Sequence, residues 1–467
     1  MAPPSKPKTI AELRRSGHRR ETVKQEMRRR LLSRLRAGES ILRGIVGYEN
    51  SVVPQLSNAI LAGHDVILLG ERGQAKSRIM RSLVDLLDPE VPVIAGCEIN
   101  DHPYTAICQR CRNLIAEQGK ETAIDWLPAD HRYGEKLATP DISIADLIGE
   151  VDPIKVAEGR YLADELTIHY GLIPRTNRGI FGINELPDLA ERIQVGLLNI
   201  LEENDVQIRG YRIRLPLDIF LIASANPEDY TSRGRIITPL KDRFGSQVRT
   251  HYPLLVEQEV AIVEQERTPP PDGVEVLLPE FMKEIVAEIT HFARRSPHIS
   301  QTSGVSVRMS IANQENLVAN SIRRAVRTGE PVAIPRISDL AYLAPSTSGR
   351  VEIEAMTEGR EELVMVRIHK SAVSAVFARY FIATDFESLL NLFEEGAVLE
   401  AGDTLPARTY QQSLGNHESI HLALERVGLP DRPEAAAAVI EFLLEGLHIN
   451  KRLNKDEIDG RALYRRS

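Results

Sequence analysis

The chain has 467 residues, a formal net charge of −8 and three cysteines. This length predicts two to four domains. Its hydrophobic content of 42% and charged content of 27% are ordinary for a globular protein with a large core, so disulfides are not needed for stability. An odd number of clustered cysteines indicates a reducing compartment. The absence of a signal-like N-terminus and of a membrane-length apolar run predicts a cytoplasmic protein without a membrane role.

Positive charge is concentrated at the N-terminus, in residues 1–40. Leu31, Leu32 and Leu35 lie among the arginines and predict an amphipathic helix. A basic arm can bind nucleic acid, but this one has no aromatic residues on which bases could stack. We therefore favour a solvated helix face, or an arm packed on an acidic neighbour, over nucleic-acid binding.

A phosphate-binding loop is predicted at residues 66–77. The apolar run Val66–Leu69 predicts a buried strand, and a helical pattern follows the loop. The motif G-x-x-x-x-G-K-[ST] is matched with Ala75 in place of the last glycine. Lys76 would bind the β- and γ-phosphates and Ser77 would bind Mg²⁺. The residues predicted to hold ATP in the loop are Gly70, Gly73, Gln74, Ala75, Lys76 and Ser77.

Two later strands end in polar residues that suit nucleotide hydrolysis. The apolar run Gly179–Ile183 leads into Asn184 and Glu185. Glu185 would activate the attacking water, and Asn184 stands where nucleotide hydrolases carry the aspartate that holds the water shell of Mg²⁺. An amide brings no charge, so we expect a tighter dependence on Mg²⁺ or slower hydrolysis. Asn226 follows a third core strand, at the sheet edge where ligands bind.

The cysteines predict a zinc site. Cys108 and Cys111 have metal-ligand spacing, and Cys97 and His102 lie within about a dozen residues of them. Four such ligands would form a closed structural site for Zn²⁺, with His131 as a substitute ligand. The alternative is three scattered thiols that pack as small hydrophobic residues.

The remaining patterns predict a hairpin, a lid and a further domain. Alternation around a glycine turn predicts a β-hairpin over Val206–Leu215. Linkers follow at residues 268–273 and 345–349, with helices between them. Two alternating runs, 351–354 and 363–368, predict a pair of strands, and an amphipathic helical pattern begins at residue 371.

These motifs together resemble an AAA+ ATPase of the clade that contains magnesium chelatase subunit I and MoxR-type ATPases. The resemblance covers roughly residues 40–328. It includes the tracts 149–152, 171–173 and 177–180, as well as the hairpin before the strand that ends at Asn226. The segment 135–178 is similar to the insertion that this clade carries in its second helix.

The resemblance implies a role for each matched residue. Glu185 would be the catalytic base and Asn226 the sensor that positions water near the γ-phosphate. Arg243 would be an arginine finger that reaches the nucleotide of a neighbouring subunit. Arg308 would be a lid sensor that contacts the γ-phosphate. For Arg243 and Arg308, a surface salt bridge is the alternative.

The implied fold class is α/β. A three-layer αβα AAA+ P-loop core with a pre-sensor hairpin is followed by a helical lid and a mainly helical C-terminal region. Four parts are predicted: a basic helical arm (1–40), the nucleotide-binding core (41–267), the lid (274–345) and a C-terminal domain (350–467). Within the core, we expect a zinc insertion near 97–111 and a helix-2 insertion near 135–178.

The resemblance implies a ring-forming, hexameric ATPase that remodels or matures a protein partner, and the partner it implies is a protein with a von Willebrand A domain. One alternative is the ATPase subunit of a magnesium chelatase, which inserts metal into a porphyrin. Another is a non-hydrolysing nucleotide-binding scaffold, which Asn184 would suit. A sigma-54 activator is disfavoured, because the sequence lacks the Gly-Ala-Phe-Thr-Gly-Ala loop of those proteins.

Overall fold

The computed structural model describes residues 6–152, 154, 157, 165–203, 205–207, 214–227, 235–300, 304–353, 361–458 and 461–466. The chain forms two compact units, Met1–His251 and Tyr252–Ser467, and each is described by itself. In the described part of the chain, no helix combines the length and apolar character that crossing a membrane requires.

The first unit contains a parallel sheet with helices on both faces. Its helices are α1 (Ile10–Arg15), α2 (Val23–Ala37), α3 (Val52–Ala62), α4 (Lys76–Ser82), α5 (Gln109–Gln118), α6 (Ile144–Leu147), α7 (Leu172–Arg175), α8 (Glu191–Glu203) and α9 (Thr238–Arg243). Its strands are β1 (Val66–Leu69), β2 (Glu90–Ile94), β3 (Ile124–Pro128), β4 (Tyr133–Leu137), β5 (Gly149–Val151), β6 (Ile168–Tyr170), β7 (Gly179–Asn184), β8 (Asp205–Gln207), β9 (Arg214–Pro216), β10 (Ile219–Ala225) and β11 (Ser246–Arg249).

The main sheet has the strand order β11-β1-β10-β7-β4, and all four neighbouring pairs are parallel. Strands β1, β7 and β10 are buried along their whole length, because helices cover both faces. Phe220 and Ile222 pack on one face with residues of α2, α3 and α4, and Leu221 and Ala223 pack on the other with residues of α8. This three-layer αβα arrangement confirms the predicted P-loop core.

Two strand assignments differ from the sequence prediction. The run at residues 91–95 also predicts a short strand, and β2 forms there, but it pairs antiparallel with β3 outside the main sheet. The edge position is taken by β4, in a region where the sequence gives few strand signals. An edge strand is paired and packed less completely than a central one, so its residues (for example Glu135 and Lys136) need not be apolar. The predicted hairpin pairs β8 with β9, and residues 208–213 lie outside the described part.

The basic N-terminal segment packs on the main sheet of the first unit. Val23, Met27 and Leu31 of α2 are buried in the core that contains β1 and β10. The helix begins with a capping box between Thr22 and Gln25. Its buried stripe therefore belongs to this fold, as expected for an amphipathic helix, but Leu32 and Leu35, on which the prediction also rested, are exposed.

The second unit is mainly helical. Its helices are α10 (Val256–Glu266), α11 (Glu280–Arg295), α12 (Arg308–Thr328), α13 (Ala344–Ser348), α14 (Glu361–Tyr380), α15 (Glu387–Glu394), α16 (Ala407–Tyr410), α17 (Glu418–Arg426) and α18 (Pro433–Ile449). Its strands are β12 (Glu275–Val276), β13 (Val332–Ala333), β14 (Leu399–Ala401), β15 (Asn454–Ile458) and β16 (Arg461–Arg465). One hydrophobic cluster runs through it from Phe281 to Tyr464, so the segments predicted as lid and C-terminal domain share a core.

The prediction of a strand at residues 363–368 is wrong. These residues lie in α14, which buries Val364, Ile368 and Ala372 and exposes Leu363. The buried positions are four residues apart, which is the spacing of one helix face. In the other predicted strand, Ile353 forms an isolated bridge with Ile299, and residues 354–360 lie outside the described part.

Candidate nucleotide site

The loop between β1 and α4 forms a compact turn with a strained backbone. Gly73 and Ala75 both have left-handed backbones, with φ of 78° and 56°. A left-handed backbone costs a residue with a side chain about 1–2 kcal/mol of conformational energy. Alanine is therefore less favourable at position 75 than its place at the start of a helix suggests. A Cβ atom on Gly70 would lie 1.9 Å from Thr250 Oγ1, which leaves room only for glycine. Successive amides in such a turn form an anion-binding concavity.

Lys76 lies over this loop. Its Nζ donates to the carbonyl oxygen of Glu71 at 2.8 Å and to Asn226 Oδ1 at 2.6 Å, and it also contacts the Gly70 carbonyl. Asn226 follows β10, the strand next to β1. Parallel pairing therefore brings the predicted phosphate-binding lysine and the predicted sensor into direct contact.

Ser77 and Asn184 are also in contact. The Ser77 hydroxyl donates to Asn184 Oδ1 at 2.9 Å, and the Ser224 hydroxyl donates to the same oxygen at 3.2 Å. The amide nitrogen of Asn184 donates to Glu135. Asn184 is buried, and both its side-chain oxygen and its side-chain nitrogen have hydrogen-bond partners within the protein. The two residues predicted to hold Mg²⁺ thus lie side by side.

Glu135 is a site residue that the sequence did not reveal. It lies in β4, and its carboxylate accepts hydrogen bonds from Arg81 Nε at 2.7 Å and from the Tyr133 hydroxyl at 3.0 Å. Burial raises the pKa of Glu135, but the bonds from Arg81 and Tyr133 outweigh burial and lower it below its ordinary value. A charged carboxylate therefore lies beside Asn184. No motif marks this position, because β4 is a polar edge strand.

Glu185 follows β7 directly and has a left-handed backbone, with φ of 56°. Its amide donates to Ser224 Oγ at 3.1 Å. Strain of this kind is typical of functional positions.

Arg243 ends α9, where its guanidinium donates to the Pro239 carbonyl at 3.0 Å. Arg308 begins α12 in the second unit. The roles of Glu185, Arg243 and Arg308 stay predictions.

The cysteine cluster is only partly as predicted. Ligand atoms of Cys97, Asp101, Cys108 and Cys111 all lie within 4.8 Å of one another. His102 is not in this group: its Nδ1 accepts the Tyr104 amide proton at 3.0 Å. The three predicted sulfurs therefore cluster, and the fourth group beside them is the Asp101 carboxylate, which the sequence spacing did not indicate.

The residues gathered at β1, β7 and β10 suit a Mg²⁺-nucleotide. Loop amides and an ammonium group match phosphate oxygens, and a hydroxyl beside an amide oxygen matches the oxygen ligands that Mg²⁺ prefers. Lys76, Ser77, Asn184 and Asn226 are the side chains that would hold it.

Comparison with known proteins finds magnesium chelatase subunits. The Acidiphilium rubrum 38 kDa subunit is 31% identical over 210 residues, covering 42% of this chain and 54% of that protein. Subunit ChlI of Nephroselmis olivacea is 31% identical over 241 residues, covering 48% and 61%. A ChlI homolog of Methanocaldococcus jannaschii is 30% identical over 214 residues, covering 44% and 53%. The chain thus spans little more than half the length of these relatives.

No family model matches the chain. Among solved structures, a model of the complex between BchI and BchD of magnesium chelatase is 22% identical, covers 67% of this chain and 96% of that chain, and has a TM-score of 0.35. A RuvB mutant of Thermotoga maritima is 11% identical, covers 90% and 93%, and has a TM-score of 0.36.

The relatives agree with the family resemblance of the motifs, and the sheet order agrees with the fold that this resemblance implies. Over somewhat less than half of its length, the chain is similar in sequence to magnesium chelatase subunits, and its first unit has the αβα P-loop core that the resemblance implies.

Proposed function

We propose that the chain is an ATPase that hydrolyses ATP in a ring of identical subunits and uses the energy to remodel a protein partner. The observation that carries the proposal is the contact of Lys76 with Asn226 and of Ser77 with Asn184 at one edge of the sheet. A phosphate site requires polar side chains from several strands to meet at one point, as they do here at the ends of β1, β7 and β10. A turn that merely contains glycine would not require these contacts.

Each side chain has a defined task in this proposal. Lys76 and the loop amides bind the phosphates, and Ser77 and Asn184 orient the water and oxygen ligands of Mg²⁺. The metal supplies charge stabilisation at the transferring phosphoryl group. Glu185 accepts the proton of the attacking water, Asn226 orients that water, and Arg243 serves the site of the neighbouring subunit.

Two kinds of partner are candidates. The resemblance favours a protein with a von Willebrand A domain. The names of the sequence relatives favour a second candidate, an ATPase subunit for magnesium insertion into a porphyrin. Affinity capture of a von Willebrand A-domain protein would support the first, and metal insertion in the presence of the other chelatase subunits would support the second.

Replacement of Glu185 by glutamine tests whether the protein hydrolyses ATP. General-base catalysis contributes roughly 10²–10⁴-fold, so we expect the ATPase rate to fall at least about 100-fold while binding of a fluorescent ATP analogue persists. Asp188→Asn, which removes a carboxylate from the same turn, is the matched control and should keep the parent's rate. Equal, negligible turnover by the parent and by Glu185→Gln would favour the non-hydrolysing scaffold instead.

A further inference from the structure

We propose that Cys97, Asp101, Cys108 and Cys111 bind one structural zinc ion in the first unit. Their ligand atoms lie within 4.8 Å of one another, and Cys97 Sγ is 4.0 Å from Cys108 Sγ. Cys108 and Cys111 are buried. Three sulfurs and one carboxylate oxygen around a common point suit tetrahedral Zn²⁺, and soft thiolate ligands exclude Mg²⁺ and Ca²⁺.

Asp101 gives independent evidence for a cation. It is fully buried, and its Oδ2 accepts the amide protons of Ile107 at 3.1 Å and Cys108 at 3.0 Å. Its Oδ1 is also buried but has no hydrogen-bond partner in the described part of the chain. An unsatisfied buried carboxylate oxygen is costly, and a metal ion would satisfy it.

The backbone around the sulfurs is arranged as a thiolate site needs. Cys97 Sγ accepts the amide proton of Asp101 at 3.3 Å, and Cys108 Sγ accepts that of Cys111 at 3.3 Å. Cys108 is also the N-cap of α5. Backbone donors and the positive end of a helix dipole both stabilise the negative charge of thiolates.

His102 faces other aromatic residues. Its ring stacks on His18 with 5.9 Å between the ring centroids and meets Tyr104 edge-on at 5.0 Å. With three sulfurs and Asp101 already present, the coordination sphere is complete without it.

The site would fasten a loop to the strand that carries the nucleotide-site residues. The turn that bears Cys97 and Asp101 is bonded to the segment before β7: Asn177 Nδ2 donates to the Ile99 carbonyl at 2.9 Å. Asn177 Oδ1 in turn accepts the amide proton of Asp218, just before β10, at 2.8 Å. Four protein ligands leave no open position for water, so the metal has a structural role.

Metal analysis of the full chain, expressed without a histidine tag and in zinc-supplemented medium, tests the site directly. We expect one zinc per chain. X-ray absorption should show three sulfurs at about 2.3 Å and one oxygen at about 2.0 Å. Protein without stoichiometric zinc, a Cys97–Cys108 disulfide in the freshly isolated protein, or an imidazole nitrogen in the shell would overturn the proposal. This measurement needs no variant, so it does not depend on whether a variant folds.

Variants then identify the fourth ligand. Asp101→Asn should bind zinc more weakly than the parent in competition with a chromophoric chelator, and Cys111→Ser should lose it. His102→Gln is the matched control, since it changes the neighbouring residue, and should keep zinc as tightly as the parent. Zinc loss by His102→Gln together with unchanged affinity in Asp101→Asn would sink the assignment. Zinc content is measured independently of ATPase activity, so this proposal and the proposed function can fail separately.

Discussion

Asn184 lies between a hydroxyl group and a carboxylate, and this position explains why an amide suits it. Its oxygen accepts the Ser77 hydroxyl proton, and its nitrogen donates to Glu135. An aspartate could accept from Ser77 but could not donate to Glu135. In this chain the negative charge lies on Glu135, the hydrogen-bond partner of Asn184 on the neighbouring strand β4. The replacement of aspartate by Asn184 is therefore accompanied by a nearby carboxylate, that of Glu135.

The variant Asn184→Asp tests this compensation. It removes a hydrogen bond to a charged group and brings two carboxylates together, so we expect a loss of about 2 kcal/mol in the free energy of unfolding in the presence of a chelator. Saturating Mg²⁺ should restore more stability to the variant than to the parent, because the cation screens the two charges. Denaturant titrations with and without Mg²⁺ measure both effects.

The double variant Glu135→Gln, Asn184→Asp is the control, because it removes the repulsion and keeps the new aspartate. It should recover most of the stability lost in the single variant. An Asn184→Asp protein as stable as the parent without Mg²⁺ would show that Glu135 does not set the chemistry of this position.

At the scale of elements, a buried ion pair joins helix α2 to Arg132, the residue directly before β4. Arg132 Nη1 and Nη2 donate to the two carboxylate oxygens of Glu26 at 2.7 and 2.6 Å. Both side chains are almost fully buried, and Arg132 Nε donates to the carbonyl of Arg178. The same helix carries Arg29 on its exposed face, paired with Asp88 at 2.6 Å.

We expect Glu26→Ala to destabilise the first unit by about 3–5 kcal/mol, because it leaves a buried guanidinium without its counter-charge. Arg29→Ala removes a solvent-exposed pair from the same helix and should cost at most about 1 kcal/mol. Thermal or denaturant unfolding of the two variants makes the comparison. Similar losses in both would mean that the buried pair does not anchor α2.

The elements that the sequence predicted correctly share a physical property. Strands β1, β7 and β10 are buried on both faces and therefore appear as apolar runs, which made the phosphate loop and Asn226 easy to place. Strand β4 lies at the sheet edge and is polar, so it and Glu135 were missed. Spacing identified the three clustered sulfurs, but the fourth group depends on a turn, which places the Asp101 carboxylate and not the His102 ring beside them.

At the scale of the whole molecule, the proposed activity depends on assembly. Glu185 and Arg243 both lie in the first unit, but the proposal assigns them to different nucleotide sites, one in the same subunit and one in the next. Only a closed ring would supply both groups to every site. An arginine delivered across an interface contributes roughly 10³–10⁵-fold to the rate, so an isolated subunit should be nearly inactive.

Mixing two inactive variants tests this arrangement. Glu185→Gln and Arg243→Ala should each have little ATPase activity alone. In a mixed ring, an Arg243→Ala subunit retains Glu185 and can receive Arg243 from a Glu185→Gln neighbour. In an equal, random mixture half of the sites retain Glu185 and half of those have such a neighbour, so roughly a quarter of the parent's rate should return. The control is each variant assayed at the total concentration of the mixture. If the mixture stays as inactive as its components, while size-exclusion chromatography shows mixed rings, Arg243 does not act across the interface.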